Sequence, residues 1–200
     1  MKTTLEGEPV RIALVGCGRI SEKHIDAIKS LGLEAKLVAV CDVLEDRARE
    51  AARKSDCDRY HLSYEEMLKE GGFDAVAICT PSGLHARQGV AAAKLGYHVV
   101  SEKPMGIRLD EVEKFIQVCD DSDVRLFVVK QNRLNKTLQL LKRAVDKARF
   151  GRIFMAVVNV FWQRPQKYYD AAKWRGTWEF DGGAFMNQAS HYIDALHWLV

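Results

Sequence analysis

The segment VRIALVGCGRIS, residues 10–21, limits most strongly what this chain can fold into. Apolar residues up to Val15 read as a strand, and Gly16-Cys17-Gly18-Arg19-Ile20-Ser21 follows with no spacer. Gly16 permits a tight turn, and Gly18 lets the backbone come close to an anion. The third position of this G-x-G-x-x-G pattern needs only a small residue for close helix–strand packing, so Ser21 is a mild departure. A helix beginning near Ile20 would point its free N–H groups and positive dipole end at a pyrophosphate. The segment therefore predicts the opening strand, loop and helix of a βαβ unit.

The pattern that follows extends this unit into a doubly wound parallel sheet of Rossmann type. Short apolar runs at 11–15, 37–41, 75–79, 98–101 and 126–129, with a weak one near 59–61, alternate with helical stretches. Ile25, Ile28 and Leu31 recur at helical spacing, Ser63 with Glu66 forms a capping box, and Gly96 closes the helix through 91–95. Past Asn135 the rhythm changes. A helix through Leu138, Leu141 and Val145 is expected to end at Phe150-Gly151, a long strand over 152–162 follows, and after a polar, aromatic loop one helix runs from about Ala184 to the last residue. The expected organisation is a Rossmann domain over 1–129 and, over 130–200, the start of an α/β domain with a mostly antiparallel sheet. One strand and one helix cannot cover a sheet, so this second domain reads as truncated.

The second strand ends at Asp42, 24 residues after Gly18, where a carboxylate can accept hydrogen bonds from ribose hydroxyls. The same charge would repel an additional phosphate, so NAD is expected over NADP. Arg47 and Arg49 fall at helical positions and read as solvated. With 28% charged residues and a formal charge of +3, nothing suggests a nucleic-acid surface. No apolar leader precedes the first strand and no run approaches the roughly 18 apolar residues of a membrane span, so a cytoplasmic protein is expected. Five cysteines without a C-x-x-C read as reduced thiols, mostly packed in a core, and no metal site is expected.

Two further motifs fall at carboxyl ends of parallel strands: Thr80-Pro81-Ser82-Gly83-Leu84-His85 and Glu102-Lys103-Pro104. Taken together, GCGRIS, AVCD, TPSGLH and EKP, in this order and spacing, resemble the Gfo/Idh/MocA oxidoreductase family. The resemblance covers essentially all 200 residues. It implies NAD held by Gly16, Gly18, Arg19, Ile20, Asp42, Thr80, Pro81, Leu84, His85, Glu102, Lys103 and Gln131, with Lys103 reaching the nicotinamide and the reacting carbon. The segments VVKQNRLN and FWQRPQKYYDAAKWRGTWEFDGGAFMNQASHYIDALHWL resemble the branch that oxidises the C3 hydroxyl of UDP-N-acetylglucosaminuronic acid in bacterial surface-polysaccharide pathways. That branch implies a sugar-nucleotide substrate, a homo-oligomer (dimer or tetramer) and His191 as partner of Lys103. Asn187 stands where most of the wider family has Asp, so no Asp–His pair is implied.

Oxidising a secondary alcohol sends a hydride to C4 of the nicotinamide while a base removes the hydroxyl proton. Lys103 can be that base or can stabilise a developing alkoxide, and His191 titrates near neutrality; the sequence leaves the proton unassigned. Asp194, three residues on, shares a helical face with His191 and could orient it. The two proton-handling groups, distant in sequence, are expected to converge on one carbon. An acidic sugar nucleotide calls for guanidinium groups and flat faces, which Arg164, Tyr168, Tyr169, Trp174, Arg175 and Trp178 supply; the expected substrate contacts are Gln163, Arg164, Tyr169, Trp174, Arg175 and Asn187. Two other readings stay open: a dehydrogenase of free sugars or inositols, and a non-catalytic NAD(H)-binding regulator.

Overall fold

A computed structural model describes residues 7–200. They fall into two compact units, the first reaching Val128 and the second running Val129–Val200.

In the first unit, strands β1 (Val10–Val15), β2 (Ala35–Cys41), β3 (Tyr60–His61), β4 (Ala75–Ile78), β5 (His98–Ser101) and β6 (Leu126–Val128) form one sheet in the order β3-β2-β1-β4-β5-β6. All five pairings are parallel. Helices α1 (Ser21–Ser30), α2 (Glu45–Ser55), α3 (Tyr64–Glu70), α4 (His85–Lys94) and α5 (Leu109–Asp121) make the crossovers. Side chains alternate across β1. Ala13 and Val15 join Val76, Ile78, Met67, Ala92 and Phe115 on one face, and Leu14 joins Leu37, Val40, Ile25, Ile28, Ala51 and Ala52 on the other. This is the two-sided burial that apolar parallel strands require.

The order reverses between β1 and β4, and such a switch point opens a crevice beyond the carboxyl ends of the strands. Two details hold the sheet and its helices together around this switch point. The Arg11 guanidinium grips Asp74 at 2.7 and 3.2 Å, with the Arg11 N–H donating to the same carboxylate, which joins the amino ends of β1 and β4. On α4, a Cβ on Gly89 would fall 2.0 Å from the Phe115 ring, so the bare glycine lets α4 and α5 close together. At the start of α3, Ser63 Oγ accepts the Glu66 N–H at 3.2 Å, the capping bond expected from the sequence.

The second unit differs from its sequence expectation at three points. Helix α6 (Lys136–Asp146), capped by the Asn135 side chain on Thr137 N–H, stops short of Phe150, and the chain turns through a left-handed Ala148. Residues 152–162 form no strand, because no neighbouring strand among the described residues is paired with them and a ladder needs two partners. Their apolar side chains stand out instead, Phe154 at 85% and Phe161 at 96% exposed. The last helix is broken. After α7 (Gln166–Asp170) come a short α8 (Gly183–Met186) and a separate α9 (Ser190–Leu199). Ser190 Oγ donates to the Asn187 carbonyl, and the Asn187 amide turns to Asp181, so local side-chain bonds compete with helix continuation.

Candidate active site

The glycine loop leaves β1 at the switch point. Gly16 has φ +90°, and a Cβ there would lie 2.6 Å from the Cys79 backbone at the end of β4, so both turn and close approach demand glycine. Around Gly18 a Cβ would meet nothing within 4 Å, leaving that stretch of backbone open to a ligand. Ser21 Oγ donates back to the Gly18 carbonyl at 2.5 Å, so the residue in the third glycine position also fastens the loop. No side chain caps the N-terminus of α1, beside which Arg19 and Ile20 are exposed.

Asp42, 9% exposed at the end of β2, does more than the sequence suggested. One carboxylate oxygen accepts the Cys17 N–H at 2.8 Å and the other accepts the Leu44 N–H at 2.9 Å. The side chain thus braces the glycine loop, while each oxygen keeps a lone pair for a ribose hydroxyl. These features together fit a dinucleotide. Arg49 is engaged with Glu45 on the α2 surface at 2.7 and 3.0 Å. Three free thiols lie at the loop and the strand ends: Cys17 within the glycine loop, Cys41 at the end of β2 and Cys79 just past β4. Burial, with the Asp42 charge adding, pushes the Cys17 and Cys41 thiols up to about 12.

At the ends of β4 and β5 the two motifs are joined by His85. Thr80 Oγ1 donates to Gln88 Oε1 at 2.6 Å, and His85, buried, lies 2.7 Å from both the Thr80 and the Pro104 carbonyls. A neutral imidazole donates to one of these at a time. Burial pushes the His85 pKa below the ordinary range, more than the carbonyls and the Glu102 charge pull it back. Pro81 and Leu84 are half-buried beside it, as is Lys103. Glu102 is buried, with Oε1 at 2.9 Å from His24 Nε2 and Oε2 accepting the Lys103 N–H at 3.2 Å. Burial raises its carboxyl pKa, but the bond to His24 and the charges of His24 and Lys103 outweigh that and hold it low. Sequence reasoning gave His24 no role. Its signal is non-local, since 78 residues separate it from Glu102.

In the second unit, Gln131 is exposed in a 3-10 turn, Gln131–Leu134. His191 is half-buried on α9. The Asp194 carboxylate receives Arg133 on both oxygens, at 2.9 and 2.7 Å, with Lys130 at 3.7 Å, and the Arg133 bond holds its pKa low. The Arg164 guanidinium stacks on Trp162 at 3.7 Å and Tyr168 at 5.0 Å, and that of Arg175 on Tyr168 at 4.1 Å and Trp174 at 5.5 Å. Tyr168, rather than Tyr169, is the ring shared by both cations; Tyr169 meets it edge-on at 5.2 Å. The Nε atoms of both arginines are buried with no hydrogen-bond partner. Gln163 is exposed next to this stack, while Asn187 is buried and committed to Asp181, which also takes the Gly176 N–H at 2.7 Å.

Comparison with known proteins adds the following. The model of the Gfo/Idh/MocA oxidoreductase family, NAD-binding Rossmann fold, matches residues 10–130, and that of the Gfo/Idh/MocA C-terminal domain matches 138–200. The crystal structure of the WlbA dehydrogenase from Bordetella pertussis, in complex with NADH and UDP-GlcNAcA, is 54% identical over 96% of this chain, with a TM-score of 0.93. The corresponding complex from Chromobacterium violaceum is 50% identical over all of the chain, with a TM-score of 0.96. Myo-inositol 2-dehydrogenase of Thermotoga maritima is 32% identical over 72% of the chain. The chain spans 60% and 58% of the two solved dehydrogenases and 42% of the inositol enzyme.

Proposed function

The chain belongs to the Gfo/Idh/MocA oxidoreductase family, and from that premise we propose an NAD-dependent dehydrogenase that oxidises the C3 hydroxyl of UDP-N-acetylglucosaminuronic acid to the 3-keto sugar nucleotide. Its setting would be bacterial surface-polysaccharide synthesis. The observation that carries the substrate reading is the pair of guanidiniums stacked on Tyr168, each with a buried Nε left without a partner. Such cations suit a carboxylate or diphosphate, and the aromatic rings suit a sugar or base face. The two dehydrogenases solved with NADH and UDP-GlcNAcA support it.

NAD, when bound, supplies the hydride acceptor at its nicotinamide C4. The open backbone at Gly18 and the uncapped end of α1 would hold the pyrophosphate, and Asp42 the adenosine ribose. Thr80, Pro81 and Leu84 would line the nicotinamide side, with His85 buried behind them and tying the Thr80 and Pro104 backbones together. As the hydride leaves C3, Lys103 or His191 takes the hydroxyl proton; the other stabilises the oxygen as its charge develops. Gln163, Arg164, Arg175, Trp174 and Tyr169 would contact the substrate, with Asn187 shaping that contact through Asp181. We further propose a cytoplasmic homo-oligomer. Five unpaired cysteines fit a reducing compartment, and no helix among the described residues is long and apolar enough to cross a membrane.

The test uses the full-length protein, with NADH formation followed on UDP-N-acetylglucosaminuronic acid, the free sugar acid and inositols. Turnover should require the UDP group, and Lys103→Ala and His191→Ala should each lower kcat by roughly 10²–10⁴ with little change in NAD affinity. Turnover of an inositol without need for UDP would favour the free-sugar reading, and NAD binding without turnover of any of these would favour the regulator. Light scattering reads the subunit number.

A further inference from the structure

Lys103 follows β5 in a short loop, and both of its neighbours are held by imidazoles from other elements. His85 of α4 lies 2.7 Å from the Pro104 carbonyl, and His24 of α1 lies 2.9 Å from Glu102 Oε1. The second contact is the more telling. Glu102 divides its carboxylate, giving Oε1 to His24 and Oε2 to the N–H of Lys103 itself, at 3.2 Å. The pair is sheltered, with side chains 14% and 9% exposed. A sheltered carboxylate bonded to an imidazole is a poor device for stability alone, since well-packed apolar residues serve as well or better. What the pair does supply is a direction, because a charge-assisted bond fixes where its partner sits.

We infer that His24 is a positioning residue: acting through Glu102, it locks the Lys103 peptide to α1, the helix whose N-terminus faces the pyrophosphate position. Cofactor-binding helix and proton-handling lysine are thereby one mechanical piece, and a shift of α1 on nucleotide binding is transmitted to the loop that carries Lys103. This rests on the assignment of Lys103 to proton handling. His24 touches neither nucleotide nor substrate in this scheme, so its loss affects turnover through geometry rather than binding. A displacement of about 1 Å in such a group can cost about 10² in rate.

Three variants of the full-length enzyme test it. His24→Ala removes the donor, His24→Gln keeps an amide N–H at the reach of Nε2, and Glu102→Gln keeps volume while removing the charge. The readouts are kcat, NADH affinity by fluorescence, and the hydrogen-exchange rate of the Lys103 amide in the cofactor-free protein. His24→Ala should lower kcat by roughly 10- to 100-fold with NADH affinity within about threefold, and should speed Lys103 exchange. His24→Gln should restore most of both. In a Lys103→Ala background, His24→Ala should add less than about threefold, because the two act as a unit. A His24→Ala enzyme with near-normal kcat, an equal loss without Lys103, or failure of His24→Gln to rescue overturns the inference. Should His24→Ala not fold, Glu102→Gln decides: it must show the same loss of kcat and faster exchange with NADH affinity within about threefold, and either normal values or a loss that follows weakened NADH binding overturns the inference. Full turnover by Lys103→Ala overturns the role of Lys103 itself. Normal turnover by His24→Ala beside an inactive Lys103→Ala overturns only the positioning role.

Discussion

Replacing Asp42 tests two functions of one carboxylate, and the structure separates their magnitudes. Asp42 accepts the N–H groups of Cys17 and Leu44 at 2.8 and 2.9 Å and is 9% exposed. Asp42→Ala leaves these two sheltered donors unpaired, at a cost of about 1–3 kcal/mol each if neither finds water. Losing hydrogen bonds from ribose hydroxyls to a charged acceptor costs a further ~1.5–3 kcal/mol of NAD binding, a factor of roughly 10 to 100. The repulsion that excludes NADP disappears with the charge. Asp42→Asn is no milder for the fold, because its single oxygen can serve one N–H and its NH2 then faces the other. NADH and NADPH fluorescence titrations, alongside thermal melting of each variant, read the two effects separately. A lowered Tm with unchanged NADH affinity would mean that Asp42 only braces the loop. Tighter binding of NADPH than NADH by the unmodified protein would refute the cofactor assignment.

Three more outcomes are expected. Gly89→Ala drives a methyl to within 2.0 Å of the Phe115 ring, so it should destabilise by about 1–3 kcal/mol in urea unfolding despite alanine's better helix propensity, and Phe115→Leu should recover part of the loss. The Glu102 carboxyl is held below its ordinary value of 4.5 in the folded chain, so its stabilisation is present above about pH 4.5 and is lost as pH falls through the lower folded value. Glu102→Gln should therefore show a shallower loss of stability on acidification below that pH, measured by denaturant melts. Arg175→Lys keeps the charge but forfeits the stack on Tyr168, and should raise KM for the sugar nucleotide about tenfold with that for NAD unchanged. An equal rise in both would remove Arg175 from the substrate site.

The Rossmann unit was legible in the sequence because its signals are local. Gly16 and Gly18 follow an apolar run directly, and even the two-residue β3 shows as a weak run around Tyr60. Strand β4 is buried along its whole length and β1 over its last three residues, so apolar composition alone betrays them. Residues 152–162 carry the same kind of composition without forming a strand, since pairing is a property of two segments and one cannot encode it. The break between α8 and α9 escaped notice because it depends on Asn187 meeting Asp181 and Ser190, a set of side-chain bonds that hydrophobic spacing does not register. Tyr168 and Tyr169 are chemically identical neighbours, and only backbone direction decides which one lies between the two guanidiniums. His24 is the extreme case, an ordinary helical histidine until the fold brings Glu102 beside it.

The strand order has a consequence during synthesis. β1 is complete once Val15 has left the ribosome, yet one of its two edges is reserved for β4, and the Arg11–Asp74 clasp closes across 63 residues of chain. At about 5–20 residues per second, that edge stays bare for roughly 3–13 seconds. Only β2 can shield β1 meanwhile, from the other side. A newborn chain thus presents a central strand of its sheet, apolar from Ile12 to Val15, as an open ledge to any neighbour able to add a strand. Growth temperature and expression rate should govern its yield more than the stability of the finished fold, and a slower ribosome lengthens the hazard.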